Sequence, residues 1–191
     1  MKALKGPAQL FAALVVTTIV TLGGASPASA EKTVTVGGAA MYPSKDIIDN
    51  AVNSKDHTTL VAAVKAAGLV DTLKGAGPFT VFAPTNAAFA KLPKGAVDGL
   101  LKPEAKADLT KVLTYHVVSG SHDSKDIAKM IKDGGGKAEF TTVAGGKLTA
   151  TMSGKSLILT DEKGGQSKVL IADVYQKNGV IHSVDSVLMP K

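Results

Sequence analysis

Three side chains of the kind that form a serine-hydrolase triad, His182, Ser183 and Asp185, lie within four positions near the C-terminus. In such a triad the His must hydrogen-bond the Ser and the Asp at the same time. The surrounding residues, 178–190, read NGVIHSVDSVLMP, a pattern typical of a turn followed by a β-strand. Successive side chains of a strand point to opposite faces, so His182 faces away from Ser183 and Asp185. The sequence therefore predicts no triad at this place.

A more distant serine does not restore the chemistry. Ser186 shares the face of His182 but lies about 13 Å along the strand, at about 3.3 Å per residue. The Gly-x-Ser-x-Gly elbow of the hydrolases is missing, and Ser119-Gly120-Ser121 does not fit it. We expect no catalytic residues and no enzyme activity.

His116 has a different setting, at the end of a predicted helix. Leu109, Val112, Leu113 and His116 follow the i, i+3, i+4, i+7 spacing of one helical face. The pattern predicts a buried, hydrogen-bonded His rather than a catalytic or ligand-binding one. Its neighbour Tyr115 is predicted to pack its ring and keep its hydroxyl on a partner.

Neither a metal site nor a cofactor site is predicted. The four histidines, at positions 57, 116, 122 and 182, show no ligand spacing, and there is no Cys to supply a thiolate. The Gly-rich stretches lack the phosphate-binding patterns and are predicted to be turns.

The charge of the chain also limits its partners. All 22 basic residues are Lys, and they are scattered along the sequence. Because Arg is the residue suited to bidentate phosphate recognition, its absence argues against nucleic-acid binding. Weak attraction to an anionic surface is compatible with the net charge of +6.

The first thirty residues have the composition of an export signal. Lys2 and Lys5 precede the apolar run Leu10–Leu22, and Ala28-Ser29-Ala30 supplies a cleavage site after Ala30. The alternative, a membrane anchor, needs roughly 20 apolar residues. We predict a signal peptide over 1–30, a flexible leader over 31–43 and one domain over 44–191, with no membrane span after cleavage.

Within the domain the hydrophobic period changes. Residues 44–134 follow mostly helical spacing, interrupted by a strand at Phe79–Phe82. After Gly134 the period becomes two, and short strands are separated by Gly-containing turns. Consecutive hairpins imply an antiparallel meander, so the predicted class is α+β.

Three blocks of the sequence together resemble the fasciclin-type domain. The first covers 80–89 (TVFAPTNAAF), the second is Tyr115-His116, and the third runs from Asn178 to Pro190. The resemblance covers roughly Ser44–Pro190, and single-domain secreted bacterial members are of similar size. The residues that carry the family motif are Thr80, Phe82, Pro84, Thr85, Asn86, Phe89, Asn178, Gly179, His182 and Asp185.

The resemblance implies a β-sandwich or wedge of about seven mostly antiparallel strands with a flanking helical layer. It also implies non-enzymatic adhesion to a protein or polysaccharide of a cell surface or matrix, with self-association possible, for a secreted or periplasmic protein. Asp173-Val174 stands where some members carry an adhesion-linked Asp-Ile pair, and Tyr115-His116 falls in a second such region; these four are the candidate partner-binding residues. The alternative function is carriage of a small apolar ligand, a pigment or a lipid. Replacing Asp173 by Ala is expected to leave stability nearly unchanged.

Overall fold

The computed structural model describes residues 33–191. The predicted signal peptide, and its cleavage position after Ala30, lie outside these residues. None of the helices in the described range combines the length and the apolar character that crossing a bilayer requires.

Side-chain caps fix the start of three helices. Asp46 Oδ1 accepts from the amide of Asp49 at 2.8 Å, and Asp123 caps its helix in the same way. Each cap satisfies an amide that the first turn leaves without a partner. The helices are Ile47–Ala51 (α1), Thr58–Ala67 (α2), Val70–Lys74 (α3), Asn86–Ala90 (α4), Ala96–Leu100 (α5), Lys106–Tyr115 (α6, after a 3-10 turn at Pro103–Ala105) and Ser124–Asp133 (α7).

Nine strands complete the described part of the chain. They are Val34–Val36 (β1), Ala39–Met41 (β2), Phe79–Pro84 (β3), Val117–Ser119 (β4), Lys137–Thr141 (β5), Lys147–Ser153 (β6), Ser156–Thr160 (β7), Gln166–Gln176 (β8) and Gly179–Val184 (β9). Seven of them form one sheet in the order β4-β3-β9-β8-β7-β6-β5. The predicted antiparallel meander, β5 to β9, is confirmed.

The centre of the sheet contains a pairing of two strands, β3 with β9, that the sequence did not predict. β3 and β9 run parallel, from Phe79 opposite Gly179 to Pro84 opposite Val184. All six residues of β9 are buried, and so are five of the six in β3. Burial on both faces is the usual condition of parallel strands, because other elements cover both sides.

Two hydrophobic cores lie on the two faces of this pair. The helix-side core contains Val81 and Ile181 together with residues of α1, α2 and α6. The sheet-side core contains Phe82 and Val184 together with residues of α7 and β5 to β7. A bridge between Val118, in β4, and Thr142, just beyond β5, brings the two edges of the sheet together, so the sheet is nearly a closed barrel. The expected α+β class, with about seven mostly antiparallel strands and a helical layer, is confirmed.

The segment expected to be a flexible leader forms an element of its own. β1 and β2 pair as a tight hairpin, with Val34 opposite Met41. Val36 and Met41 are 4% and 3% exposed and belong to the helix-side core. The expectation of a flexible leader is therefore corrected over residues 34–41, which form a hairpin that places two apolar side chains in the helix-side core.

Candidate functional site

Strand β9 separates the three triad-like side chains, as the alternation predicts. His182 points into the sheet-side core, where its ring stacks on Phe82 with centroids 5.6 Å apart. Its Nε2 lies 2.9 Å from the carbonyl oxygen of His122, and its Nδ1 accepts from the amide of Asp173 at 3.4 Å. Burial is the largest cause that lowers the pKa of His182. Ser183 points to the opposite face, so the two side chains do not meet.

Asp185 follows the end of β9 and holds neighbouring chain segments. Its carboxylate accepts from the Lys168 amide at 2.8 Å and pairs with Lys91 Nζ at 3.2 Å. Partial burial acts to raise the pKa of Asp185, but hydrogen bonds from the Lys168 amide, Lys91 and Ser186 outweigh it and lower that pKa. The group serves as a structural acceptor.

A buried serine–histidine chain, which the sequence analysis missed, lies on the other face of β9. Ser54 Oγ is 2.9 Å from His57 Nδ1, and His57 Nε2 is 3.1 Å from Ser183 Oγ. All three residues are at most 3% exposed, and burial is the largest cause that lowers the pKa of His57. The His therefore contacts a serine, but the third member is a hydroxyl instead of a carboxylate and no member is open to substrate. His57 and Ser183 are 126 positions apart, so no local pattern could have paired them.

Tyr115 and His116 are both buried, and for His116 the helical spacing predicts it. Tyr115 is 0% exposed; its hydroxyl donates to the Lys147 carbonyl at 2.5 Å and accepts from the Glu162 amide at 3.2 Å. His116 Nδ1 lies 2.8 Å from the Val112 carbonyl, and its Nε2 accepts from the Leu188 amide at 3.0 Å. Burial lowers the pKa of His116 to about 4. Both side chains thus hold strands and the C-terminal segment in place.

Asp173 and Val174 have different surroundings. Val174 is 1% exposed, in the helix-side core. Asp173 is half-buried at an irregular point of β8, with a φ of 60°, and its carboxylate accepts from the amide and hydroxyl of Ser124 at 2.6 and 2.5 Å. Of the four candidate partner-binding residues, Asp173 alone has more than marginal exposure.

The motif residues of the first block hold β3 to the loops around it. Thr80 is fully buried; its hydroxyl donates to the Gly120 carbonyl at 2.7 Å and accepts from the His122 amide at 2.9 Å. Thr85 caps α4, after Pro84 has ended β3. Asn86 Oδ1 accepts from the Thr59 amide at 3.0 Å, at the start of α2. Phe89 packs into the helix-side core.

Asn178 ends the turn before β9 and joins three segments, and Gly179 is the first residue of the strand. Asn178 Oδ1 accepts from the Ile47 amide at 3.1 Å, and its Nδ2 donates to the carbonyls of Leu73 and Gly75 at 2.7 and 3.1 Å. A Cβ on Gly179 would collide with the Phe79 carbonyl, so the parallel strands can approach only because a Gly stands there.

Within residues 33–191, no group of three or more His, Asp or Glu side chains is placed to hold a metal ion. The polar side chains that the motif brings together instead bond to backbone groups of other segments. This arrangement can fix the shape of a surface, and it offers no accessible nucleophile or general base.

Comparison with known proteins gives a consistent result. Residues 55–190 match the model of the fasciclin domain. Protein sll1483 of Synechocystis sp. is 43% identical over 170 residues, covering 89% of this chain and 87% of that one. The cell surface glycolipoprotein MPB83 of Mycobacterium bovis is 35% identical over 160 residues, covering 81% of this chain and 64% of that one. A solved FAS1 domain pair from the insect cell adhesion molecule Fasciclin I superposes with a TM-score of 0.69 at 16% identity, over 84% of this chain and 58% of that one.

Proposed function

The chain belongs to the fasciclin domain family, and from that premise we propose that it is an exported, non-enzymatic adhesion module that binds a protein or polysaccharide of a cell surface or matrix. The observation that carries the proposal is the match to the fasciclin domain model over residues 55–190. Members of this family often act in cell adhesion. The relatives with cell-surface and cell-adhesion names, MPB83 and Fasciclin I, support the same reading.

The chemistry of the described residues supports a binding role over catalysis. The three histidines that have well-defined partners, His57, His116 and His182, are at most 3% exposed. Each has its ring nitrogens engaged by nearby groups, and burial lowers the pKa of each. A general base must reach a substrate proton, and these rings cannot. The proposal therefore places function on the outer surface of the domain.

An attachment assay tests the proposal. A surface is coated with the purified protein, and attached cells of the source organism are counted. The control is an unrelated protein of similar pI, near 9.4, because a basic surface attracts anionic cells without recognition. We expect attachment above that control that persists at about 1 M salt, where the screening length falls to about 3 Å. Attachment equal to the control at both salt concentrations would remove adhesion as the function.

The alternative function is carriage of a pigment or lipid, and it requires a cavity large enough to hold that ligand. An apolar cavity lies beside His57 and His116 in the helix-side core, with a volume of about 50 Å³. Sites for drug-sized ligands typically measure about 300–1,000 Å³. The cavity would have to enlarge several-fold to hold such a ligand, so its volume counts against carriage.

A further inference from the structure

A groove opens where strands β7 and β8 part. Their antiparallel pairing runs from Thr160–Gln166 to Ile158–Lys168 and stops there. If the register continued, Ser156 would lie opposite Leu170. The first turns of α7 stand beside the opening instead, and the resulting groove has a volume of about 570 Å³.

The floor of the groove is apolar and continuous with the core. Leu148 and Ala150 on β6 are 0% exposed, and Met152, the next residue on that face, is 42% exposed. Leu170, at 54%, also lines the groove. Single exposed apolar side chains are ordinary, but two in one concave site, beside the buried Leu157, form a surface that a ligand can cover. Covering it is favourable by about 25 cal/mol per Å² of apolar surface.

The rim of the groove is positively charged. Lys125, Lys155 and Lys168 line it, and all three are exposed. Among residues 33–191, none of these ammonium groups lies within ion-pair distance of a carboxylate, whereas Lys74, Lys91 and Lys129 elsewhere are paired. The nearby carboxylate of Asp173 is occupied by Ser124. Besides the hydrogen bond from the Asp126 amide, the charge of Lys125 lies close enough to Asp123 to help lower the pKa of that carboxyl. The charges of Lys155 and Lys168 are therefore the ones available to an anionic partner.

On the basis of the proposed adhesion function, we propose that this groove binds an extended acidic segment of the partner protein. An extended peptide sends alternate side chains to opposite faces. One set can cover Met152 and Leu170 while the other presents carboxylates to the lysines. The parted edges of β7 and β8 offer the backbone along which a peptide strand is recognised. The apolar floor favours a peptide over a polysaccharide, which would leave Met152 and Leu170 uncovered.

A labelled peptide tests the inference directly. The probe is a fluorescein-labelled peptide of about eight residues that alternates Val and Glu; its matched control alternates Val and Lys. We expect the acidic peptide to bind the purified protein and the basic peptide to show no binding. In NMR titrations the amide shifts should concentrate at Met152, Ser156 and Leu170.

Variants locate the site. Exchanging both rim lysines, Lys155→Glu with Lys168→Glu, should weaken binding of the acidic peptide by about tenfold or more, since each change replaces an attraction by a repulsion. Lys163→Glu makes the same kind of charge change at an exposed position in the turn at the far end of β7, and should change affinity less than twofold. Leu170→Ser should weaken binding with an unchanged melting temperature, because the side chain is more than half exposed.

Several results would overturn the inference. These are equal affinity for the acidic and basic peptides, equal loss in Lys163→Glu and the rim variants, or shifts that map away from the groove. If the protein binds phosphatidylglycerol vesicles and the acidic peptide does not displace them, the groove would be assigned to membrane binding instead. If cells attach equally to the Leu170→Ser variant and to the unmodified protein, the groove is excluded as the attachment site, and the adhesion function itself is unaffected. Failure of the unmodified protein to attach removes adhesion itself.

Discussion

At the scale of single residues, hydrogen-bond partners determine the state of the buried histidines. A carbonyl oxygen can only accept, so the proton of His116 is on Nδ1, toward Val112, and Nε2 accepts from the Leu188 amide. By the same reasoning His182 carries its proton on Nε2, toward the carbonyl of His122. The rings of His116 and His182 are thus neutral, each in one tautomer, and each joins segments that are far apart in sequence.

Replacing His116 by Ala should lower the free energy of unfolding by about 1–3 kcal/mol, because the Val112 carbonyl and the Leu188 amide would both lose a buried partner. Chemical denaturation measures the change. His116→Gln is the matched variant, since its amide can still serve one of the two groups, and it should lose less than His116→Ala. Wild-type stability in both variants would contradict the role given to the ring.

Asp173 has a structural role that its sequence position does not reveal. Its φ of 60° is left-handed, and its two hydrogen bonds from Ser124 connect β8 to the start of α7, beside the bond from Tyr175 to Asp123. We expect Asp173→Ala to cost about 1–3 kcal/mol, because hydrogen bonds to a carboxylate are lost and Ala is strained in that conformation. This revises the expectation of a nearly neutral change.

Two further variants, measured by the same chemical denaturation, serve as controls for Asp173→Ala. Asp173→Asn should lose less, because Asn tolerates the left-handed region and keeps one acceptor oxygen. Asp98→Ala, at an exposed Asp on α5, should stay within about 0.5 kcal/mol of the wild type. If Asp173→Ala matched Asp98→Ala, the structural role would be disproved.

The burial of a residue could be predicted from the sequence where it follows from periodicity. The hydrogen-bond partners of that residue could not. Spacing on α6 places His116 inside, and alternation on β9 separates His182 from Ser183; both hold in the structure. The Leu188 amide and the Ser54 and His57 side chains come from distant segments, and their contacts depend on tertiary packing that no local pattern contains.

At the scale of elements, the turn before β9 organises the middle of the domain. Asn178 uses its side-chain oxygen on the first residue of α1 and its amide group on the last residues of α3 and the loop that follows. The meander could be predicted from the sequence, and the turn before β9 could be predicted to within one residue: the pattern indicates Asn178-Gly179, and Lys177-Asn178 forms it. β1, β2 and β4 could not be predicted, because three residues are too few to show a period. The parallel contact of β3 with β9 could not be predicted either, because a hairpin pattern pairs only neighbours in the chain.

The near-isosteric change Asn178→Asp tests that organisation. A carboxylate can still accept from Ile47 but cannot donate to the carbonyls of Leu73 and Gly75, so we expect a loss of about 1–3 kcal/mol. Asn53→Asp, where an exposed Asn donates to one carbonyl, is the control and should cost less than about 0.5 kcal/mol. Equal effects of the two changes in chemical denaturation would show that the turn does not tie these segments.

At the scale of the whole molecule, the three buried histidines make stability depend on pH. The pKa of each is below the ordinary value of 6.5, so between pH 6.5 and about 4 the unfolded chain binds more protons than the folded one. Stability is fully present above pH 6.5 and is lost as the pH falls toward 4. For His116 alone, a pKa of about 4 corresponds to about 3 kcal/mol.

We therefore expect the free energy of unfolding to fall steadily between pH 6.5 and 4.5, above the range in which carboxylates such as Asp123 and Asp185 titrate. Denaturant titrations at several pH values measure the slope. His116→Gln should reduce the slope, whereas Leu109→Ala, which destabilises the same helix but keeps every His, should leave it unchanged. A flat profile in the unmodified protein would refute the protonation argument.

The position of β9 also sets an order in time. β9, the last strand among residues 33–191, lies in the middle of the sheet, between β3 and β8. During synthesis, about a hundred residues are added between β3 and its parallel neighbour β9. Neither core can close before β9 has been made. Such distant contacts slow folding. A growing chain of this protein thus stays open, and dependent on protection from aggregation, until residues 179–184 have been made.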